Sequence, residues 1–341
     1  MSPTSYRTAP PRVVVRMVTQ HPLRCKTCHD AAMRVAAADI GTNSTRLLVA
    51  DVGDDGTVAE VVRLLEITRL GEGVDATGIL DPGALARTEV VLARYCRRAR
   101  ALGATRIRVA ATSAVRDAAN RELFVEMVRR HAGTDPEVIG GDEEARLSFL
   151  GGTRGLPAAD GPFLLLDIGG GSTEFVVGTE PGRAAQDISL QIGSLRMTER
   201  HVSTDPPAPA EMAAIRATVG TALDAAEVAV PAIHTARTMV SVAGTATTIQ
   251  AVALDLGRYD PEITHHSRLS LATAAAVLER LAAMTTPERA ALPVMAPGRA
   301  EVIVAGGLIL VETMRRFGFD DTLVSETDIL LGLALDTLGV G

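Results

Sequence analysis

Two stretches of the chain share one pattern of apolar and polar positions. Each runs from an apolar strand ending in Asp, through a turn of small polar residues and Gly, into a second apolar strand. The first covers residues 35–49 and the second residues 163–177, and they superpose at a constant offset of 128 residues. The pattern predicts two hairpins, and their separation by a domain's length predicts two similar halves that face each other across a cleft.

Between and after the hairpins, strands alternate with helices. The pattern predicts helices over 81–102, 141–150, 249–256 and 302–311, and strands over 106–111, 137–139 and 240–242. Such a succession is typical of the α/β class. We expect a two-lobed α/β body, with lobe I over residues 33–149 and lobe II over residues 150–322.

Composition narrows the class of protein. The 341 residues are 47% hydrophobic and 22% charged, which is typical of a folded chain rather than a disordered one. No run of 18 apolar residues is present, which argues against a membrane-spanning helix, and three cysteines favour a cytoplasmic protein without a disulfide scaffold. The net charge of −7 argues against nucleic acid as a partner.

Residues 1–32 are rich in Pro and Arg, lack periodicity and are expected to form a disordered extension. They contain Cys25 and Cys28 followed by His29, the spacing of c-type haem attachment. Haem attachment requires export, and the segment lacks the apolar core of a secretory signal. A zinc site needs two further ligands, and none lies nearby. We therefore expect no cofactor there.

The two turns have the chemistry of a phosphate site. Glycine lets the backbone approach a ligand closely, and successive amides form a concave anion-binding nest. An Asp at the end of the strand can hold Mg²⁺ or a water molecule. Two plain hairpins are the alternative, but the repetition favours a phosphate clamp. The turn over 243–248 either presents amides at a helix N-terminus or is an ordinary Thr-capped helix start, and both interpretations stay open.

Two further candidates lie between the hairpins. Arg116 follows a predicted strand, where it binds an oxyanion or pairs at the surface with Asp117 or Glu122. The acidic residues 142–144 open a helix, where they complement the helix dipole or supply a general base. The pattern alone leaves both pairs of alternatives open.

Together these segments resemble the exopolyphosphatase/guanosine pentaphosphate phosphohydrolase family, a branch of the sugar kinase–actin superfamily. Four motifs carry the resemblance in order, at residues 39–46, 111–120, 141–146 and 167–174. The resemblance runs from about Met33 to about Leu335 and is strongest to the short actinobacterial exopolyphosphatases. It implies two actin/ribonuclease-H-like lobes, an interlobe active-site cleft and a terminal helix, about 325–341, packed on lobe I.

The resemblance also implies residue roles. Glu144 would be the general base that activates water, and Arg116 would stabilise the developing charge. Asp167 and Glu174 would organise Mg²⁺, or alternatively Mn²⁺, with Asp39 facing them as a further ligand. The residues expected to hold phosphoryl oxygens are Asn43, Ser44, Thr45, Gly170, Gly171, Ser172 and Thr173.

The implied function is Mg²⁺-dependent release of terminal phosphate from inorganic polyphosphate. Guanosine pentaphosphate (pppGpp) is the alternative substrate, and an ATPase or kinase, or a non-catalytic sensor of alarmone or polyphosphate, is a further alternative. Longer family members carry additional C-terminal helical domains, so we expect this chain to favour short polyphosphates. Arg299, Arg315 and Arg316 are candidates for a polyanion track, and a homodimer remains possible.

Overall fold

The structure, a computed structural model, describes residues 14–17 and 32–339. The chain folds into two lobes, each built on a six-stranded mixed sheet. Lobe I contains β1 (Val14–Met17), β2 (Met33–Ile40), β3 (Ser44–Val52), β4 (Val58–Ile67), α1 (Val74–Thr77), α2 (Pro82–Ala101), β5 (Arg106–Ala111), α3 (Ser113–Asp117), α4 (Glu122–Ala132), β6 (Glu137–Val138) and α5 (Gly141–Gly152).

Lobe II is formed by the chain that follows. Its elements are β7 (Phe163–Ile168), β8 (Thr173–Gly178), β9 (Gln186–Leu190), α6 (Ser194–His201), α7 (Pro209–Ala229), β10 (Thr238–Val242), α8 (Ala243–Ala253), α9 (Pro261–Thr264), β11 (Ser267–Ser270), α10 (Leu271–Ala283), α11 (Thr286–Ala290), α12 (Ile303–Phe317) and β12 (Asp321–Val324). The last helix, α13 (Ile329–Asp336), leaves lobe II and packs on β2, β3 and α5 of lobe I.

Five strands of the two sheets share the same connectivity, and the sixth is added at a different edge of each sheet. In lobe I, β2 pairs antiparallel with β3 and parallel with β5, and β4 extends the sheet beyond β3. In lobe II, β7 pairs antiparallel with β8 and parallel with β10, and β9 extends the sheet beyond β8. The expected α/β architecture of two similar lobes is therefore confirmed.

Hydrophobic burial explains why the predicted elements form. The apolar helix expected over 302–311 is α12, which lies at the centre of the lobe II core. The helix expected over 81–102 is α2, which begins after Asp81 because that carboxylate accepts a hydrogen bond from the Ala84 amide and Pro82 supplies a preformed first turn.

Helices α5 and α13 approach so closely that their backbones touch. A Cβ atom on Gly151 would overlap the Asp328 carbonyl, and one on Gly332 would overlap the Leu147 carbonyl. Glycine at both positions therefore allows the two helices to meet, and the contact ties the end of the chain to lobe I.

Two expectations differ from the structure. Helix α8 begins at Ala243, directly after β10, rather than near Ile249, because Ala243 takes a left-handed φ of 63° and makes the turn in one residue. Within the expected extension 1–32, Val14–Met17 form a strand paired with β4, so this part is not disordered. Most of that segment, with its Cys-x-x-Cys-His motif, lies outside the described residues. None of the helices in the described part is long and apolar enough to cross a membrane.

Candidate active site

The two predicted turns are built alike. Asp39 pairs with Arg46 across the first hairpin, and Asp167 pairs with Glu174 across the second, at the same offset of 128 residues. Each turn is closed by one backbone hydrogen bond, from Gly41 to Ser44 at 2.9 Å and from Gly169 to Ser172 at 3.0 Å. We call residues 41–44 loop 1 and residues 169–172 loop 2.

The start of α6 fixes the orientation of loop 2. The Gly169 carbonyl accepts from the Ser194 amide, and the Gly170 carbonyl accepts from the amides of Leu195 and Arg196, at 2.9 to 3.0 Å. In a trans peptide the N–H points away from the C=O, so the amides that follow these carbonyls point away from α6. Along the described chain the amides of residues 170–172 find no acceptor, which leaves them available as an anion nest.

Loop 1 is oriented in the same way by the segment that follows β4. The Thr42 carbonyl accepts from the Gly71 amide at 2.8 Å, and the Asn43 carbonyl accepts from the amides of Thr68 and Arg69 at 3.1 and 3.0 Å. The two loops meet at their tips, since a Cβ on Gly170 would stand 2.9 Å from the Asn43 backbone nitrogen. The two loops therefore open into one interlobe cleft.

Residues of both loops line this cleft. Most of the residues expected to act on phosphate line it. These are Asp39, Asn43, Ser44, Glu144, Asp167, Gly170, Gly171 and Ser172.

Thr45 and Thr173 do not line the cleft, which corrects the expectation that they bind phosphate. Each is the first residue of the hairpin ladder after its loop, and both side chains are fully buried. The Thr45 hydroxyl is 2.9 Å from that of Thr68, and the Thr173 hydroxyl donates to the Ile192 carbonyl. Both threonines therefore anchor the loops from behind.

Glu144 lies in the first turn of α5 and is 8% exposed. Its Oε2 accepts a hydrogen bond from Arg116 Nη1 at 3.2 Å, and the same nitrogen donates to the Ile139 carbonyl at 2.9 Å. Arg116 thus pairs with Glu144 and not with Asp117 or Glu122. Arg116 does not line the cleft itself, but it holds the carboxylate that does.

Three buried carboxylates influence one another at the base of loop 2. Burial raises the pKa of Glu144, and the negative charge of Glu174 raises it further, whereas Arg116 opposes the shift. Burial also raises the pKa of Glu174 and of Asp167, against hydrogen bonds from Ser189 and Ser148. These groups therefore cannot all be ionised at low cost.

Arg46 takes the position in lobe I that Glu174 takes in lobe II. Its Nε and Nη2 donate to Asp39 Oδ2 at 2.9 and 2.6 Å, and its Nη1 pairs with Asp328 at the start of α13. The neighbouring carboxylates raise the pKa of Arg46 against the effect of burial. Asp328, 5% exposed, was not singled out from the sequence, because it lies 282 residues from Arg46.

Arg299 lines the cleft from lobe II, beside Ala243 and Gly244 at the start of α8. It is 8% exposed, and its Nε finds no acceptor for its hydrogen among the described residues. Burial lowers the pKa of Arg299 to about 10. A Cβ on Gly244 would overlap the guanidinium, so glycine leaves room for it. An unpaired buried cation in a cleft is a binding group for anions. Arg315 and Arg316 pair instead with carboxylates at the surface.

The carboxylates of the cleft fit a metal ion only in part. Within the described chain, no three Asp, Glu, His or Cys side chains are grouped to hold a metal by themselves, so the expected set of Asp39, Asp167 and Glu174 is not assembled. Glu174 instead accepts from Ser189 at 2.7 Å. Asp39 Oδ1, however, is buried without a partner in the described part of the molecule. Mg²⁺ commonly takes one or two carboxylates with phosphate oxygens and water, and Asp39 and Asp167 fit that role.

Residues 48–339 match the Ppx/GppA phosphatase family. The chain is 44% identical to exopolyphosphatase 2 of Mycobacterium tuberculosis, over 91% of this chain and the whole of that protein. It superposes on an exopolyphosphatase-like protein with a TM-score of 0.85 and 37% identity, covering 89% and 98% of the two chains.

A second solved structure, the PPX-GPPA enzyme of Aquifex aeolicus, superposes with a TM-score of 0.73 and 31% identity, covering 90% of this chain and all of that one. The resemblance expected from the four motifs is therefore confirmed. The chain belongs to the Ppx/GppA phosphatase family.

Proposed function

We propose that the protein is a Mg²⁺-dependent exopolyphosphatase that hydrolyses the terminal phosphoric anhydride of inorganic polyphosphate in the cytoplasm. The observation that carries the proposal is that loops 1 and 2 meet beside Glu144 in one cleft, with the amides of residues 170–172 without an acceptor in the described chain. Names of relatives agree, since the M. tuberculosis protein is called an exopolyphosphatase.

Each group of the site has its own role in phosphoryl transfer. The amides of loops 1 and 2 bind the oxygens of the terminal phosphoryl group, and Glu144 accepts a proton from the attacking water. Arg116 keeps the Glu144 carboxylate in position. A raised pKa makes Glu144 a stronger base once it is ionised. Asp39 and Asp167 would hold Mg²⁺, which would supply positive charge next to the phosphate oxygens.

The cleft suits short chains. Its lining contains two arginines, Arg46 and Arg299, and Arg46 is already paired with Asp39 and Asp328. Among the described lining residues, Arg299 is thus the cation left for substrate. One free guanidinium and two short loops bind a few phosphate groups rather than a long polyanion.

The test compares Glu144→Gln with Glu143→Gln. Glu143 is a matched control because it is adjacent on α5 and pairs with Arg146 instead. Loss of a general base costs roughly 10²–10⁴-fold in kcat, whereas Glu143→Gln should stay within about threefold of wild type. Phosphate release is measured with Mg²⁺, and again after EDTA treatment, from tripolyphosphate, long-chain polyphosphate, pppGpp and ATP.

Each outcome assigns a function. Release from polyphosphate that collapses in Glu144→Gln and after EDTA treatment supports the proposal. If phosphate is released from pppGpp alone, pppGpp is the substrate of this site. If ATP is consumed only when an acceptor is present, the protein is a kinase. Tripolyphosphate binding in a calorimeter without turnover in wild type refutes hydrolysis and favours a sensor.

A further inference from the structure

An arginine behind loop 2 crosses from lobe II to lobe I. Arg196, in the first turn of α6, donates from Nε to the Gly171 carbonyl at 2.7 Å. Its Nη2 donates to Asp117 at 2.7 Å and to the Ser113 hydroxyl at 3.2 Å, and its Nη1 pairs with Asp75. The side chain is 10% exposed. One guanidinium therefore joins the tip of loop 2 to two helices of the other lobe.

Lobe I has a weaker counterpart. The Arg69 amide donates to the Asn43 carbonyl of loop 1 at 3.0 Å, and its side chain reaches Glu301 of lobe II at 2.8 Å. Its Nη2 also lies 3.4 Å from the Gly298 carbonyl, next to Arg299. The Arg69 side chain is 28% exposed and its partner Glu301 41% exposed, so solvent weakens this pair. Each loop is thus backed by a segment whose arginine contacts the opposite lobe.

We propose that Arg196 is a positioning residue that couples closure of the lobes to the binding geometry of loop 2, with Arg69 as the weaker counterpart in loop 1. The proposal rests on the proposed function, since loop 2 is taken to bind the reacting phosphate. If the lobes separate, Arg196 loses Asp75 and Asp117, and its remaining bond to Gly171 no longer has a fixed direction. Substrate that bridges both loops selects the closed state, in which the guanidinium holds loop 2.

The planar fork of arginine makes this role testable. Arg196 uses all three nitrogens in different directions, which a lysine ammonium on its flexible stem cannot reproduce. Arg200 is the matched control, because it also pairs with Asp75 but does not contact loop 2. Replacement of either arginine by lysine keeps the charge, so a difference between the two variants reports the contact with the loop.

Steady-state kinetics with tripolyphosphate provide the first readout. Arg196→Lys lowers the fraction of closed protein, so KM should rise about tenfold or more while kcat stays within about threefold. Arg200→Lys should change both by less than about twofold. A purely structural role for Arg196 would instead lower the melting temperature without this separation of KM from kcat. If Arg196→Lys does not fold, Asp75→Asn weakens the same contact from lobe I, and its KM should rise in the same direction.

A second readout does not depend on activity. Spin labels at Val90→Cys in lobe I and Val228→Cys in lobe II, which are 65% and 84% exposed, report the interlobe distance by pulsed electron resonance. In the protein used for spin labelling, Cys25 and Cys28 are replaced by serine so that they take up no label. Cys96 is kept because it is buried. Arg196→Lys should shift the distribution to longer distances, and saturating tripolyphosphate should restore the short distance.

The two readouts separate the two proposals. An unchanged KM together with an unchanged distance distribution in Arg196→Lys overturns the coupling, even if the enzyme is active. If wild type releases no phosphate from any substrate while Arg196→Lys still lengthens the distance, the proposed function fails and the interlobe role of Arg196 remains.

Discussion

Substitution of Gly193 by alanine tests whether loop 2 binds the reacting phosphate. Gly193 is the residue before α6 and has a φ of −111°, which any residue adopts. A methyl group there would stand 2.3 Å from the Gly170 carbonyl carbon and 2.4 Å from the Gly171 nitrogen. The substitution therefore acts by pushing the backbone of loop 2 and not by straining its own conformation.

The structure sets the size of the effect. An ordinary carbon–carbon contact begins near 3.4 Å, so loop 2 must retreat by about 1 Å. A 1 Å displacement of a binding group costs roughly 100-fold in rate, which corresponds to about 2.7 kcal/mol of transition-state stabilisation. Overpacking also destabilises the fold, by about 1–3 kcal/mol. We expect kcat/KM for tripolyphosphate to fall about 100-fold in protein that is still folded at 25 °C.

The control is Gly220→Ala in α7, where nothing lies within 4 Å of the added methyl group. Alanine is the better helix former, so this variant should be more stable by roughly 0.5–1 kcal/mol with unchanged activity. Phosphate release and thermal melts are measured on both variants. If Gly193→Ala folds and retains kcat/KM within threefold of wild type, loop 2 does not hold the reacting group and the proposed site is wrong.

Three further predictions concern other parts of the molecule. Arg299→Lys removes the unpaired guanidinium, and the loss of a charged hydrogen bond worth about 1.5–3 kcal/mol should lower kcat/KM for tripolyphosphate roughly 10- to 100-fold. Thr313→Val removes a fully buried hydroxyl that has no partner among the described residues, and urea titration should show a gain of about 1 kcal/mol. Hydrogen bonds from Ser203 and Thr204 lower the pKa of Glu211 to about 2 from 4.5, so its stabilising effect is complete above pH 4.5 and is lost as the pH falls toward 2. Glu211→Gln should therefore melt at a lower temperature than wild type at pH 7, and melts at decreasing pH should show the difference shrinking.

The fold was predictable where local signals agree. Helix α2 was expected to within one residue at each end, because Asp81 and Pro82 mark its start and its apolar positions recur at helical spacing. The start of α8 was placed six residues late, because alanine rarely takes the left-handed conformation that Ala243 adopts. Tertiary packing imposes this conformation, so the intrinsic propensity of the residue does not predict it.

The sequence was sufficient to locate the two loops of the site, but not to predict the direction of each side chain. The repeat located both turns, yet it did not show that Thr45 and Thr173 point behind them, because each is already in the strand ladder, where side chains alternate between faces. Asp328 and Arg196 were missed for another reason. Their partners lie 282 and 121 residues away along the chain, and such contacts exist only once the lobes are packed.

The one charge difference between the two hairpins gives the cleft its polarity. At equivalent positions lobe I carries Arg46 and lobe II carries Glu174, so Asp39 has a neutralising partner and Asp167 has a repelling one. The carboxyl group without a neutralising hairpin partner therefore lies on the lobe II side, near Glu144, which we propose as the base. An incoming polyphosphate would be repelled there unless a cation lies between it and the carboxylates. Under the proposed function, substrate therefore requires a cation between its phosphates and these carboxylates, and we expect hydrolysis and tight substrate binding to be lost together when Mg²⁺ is removed.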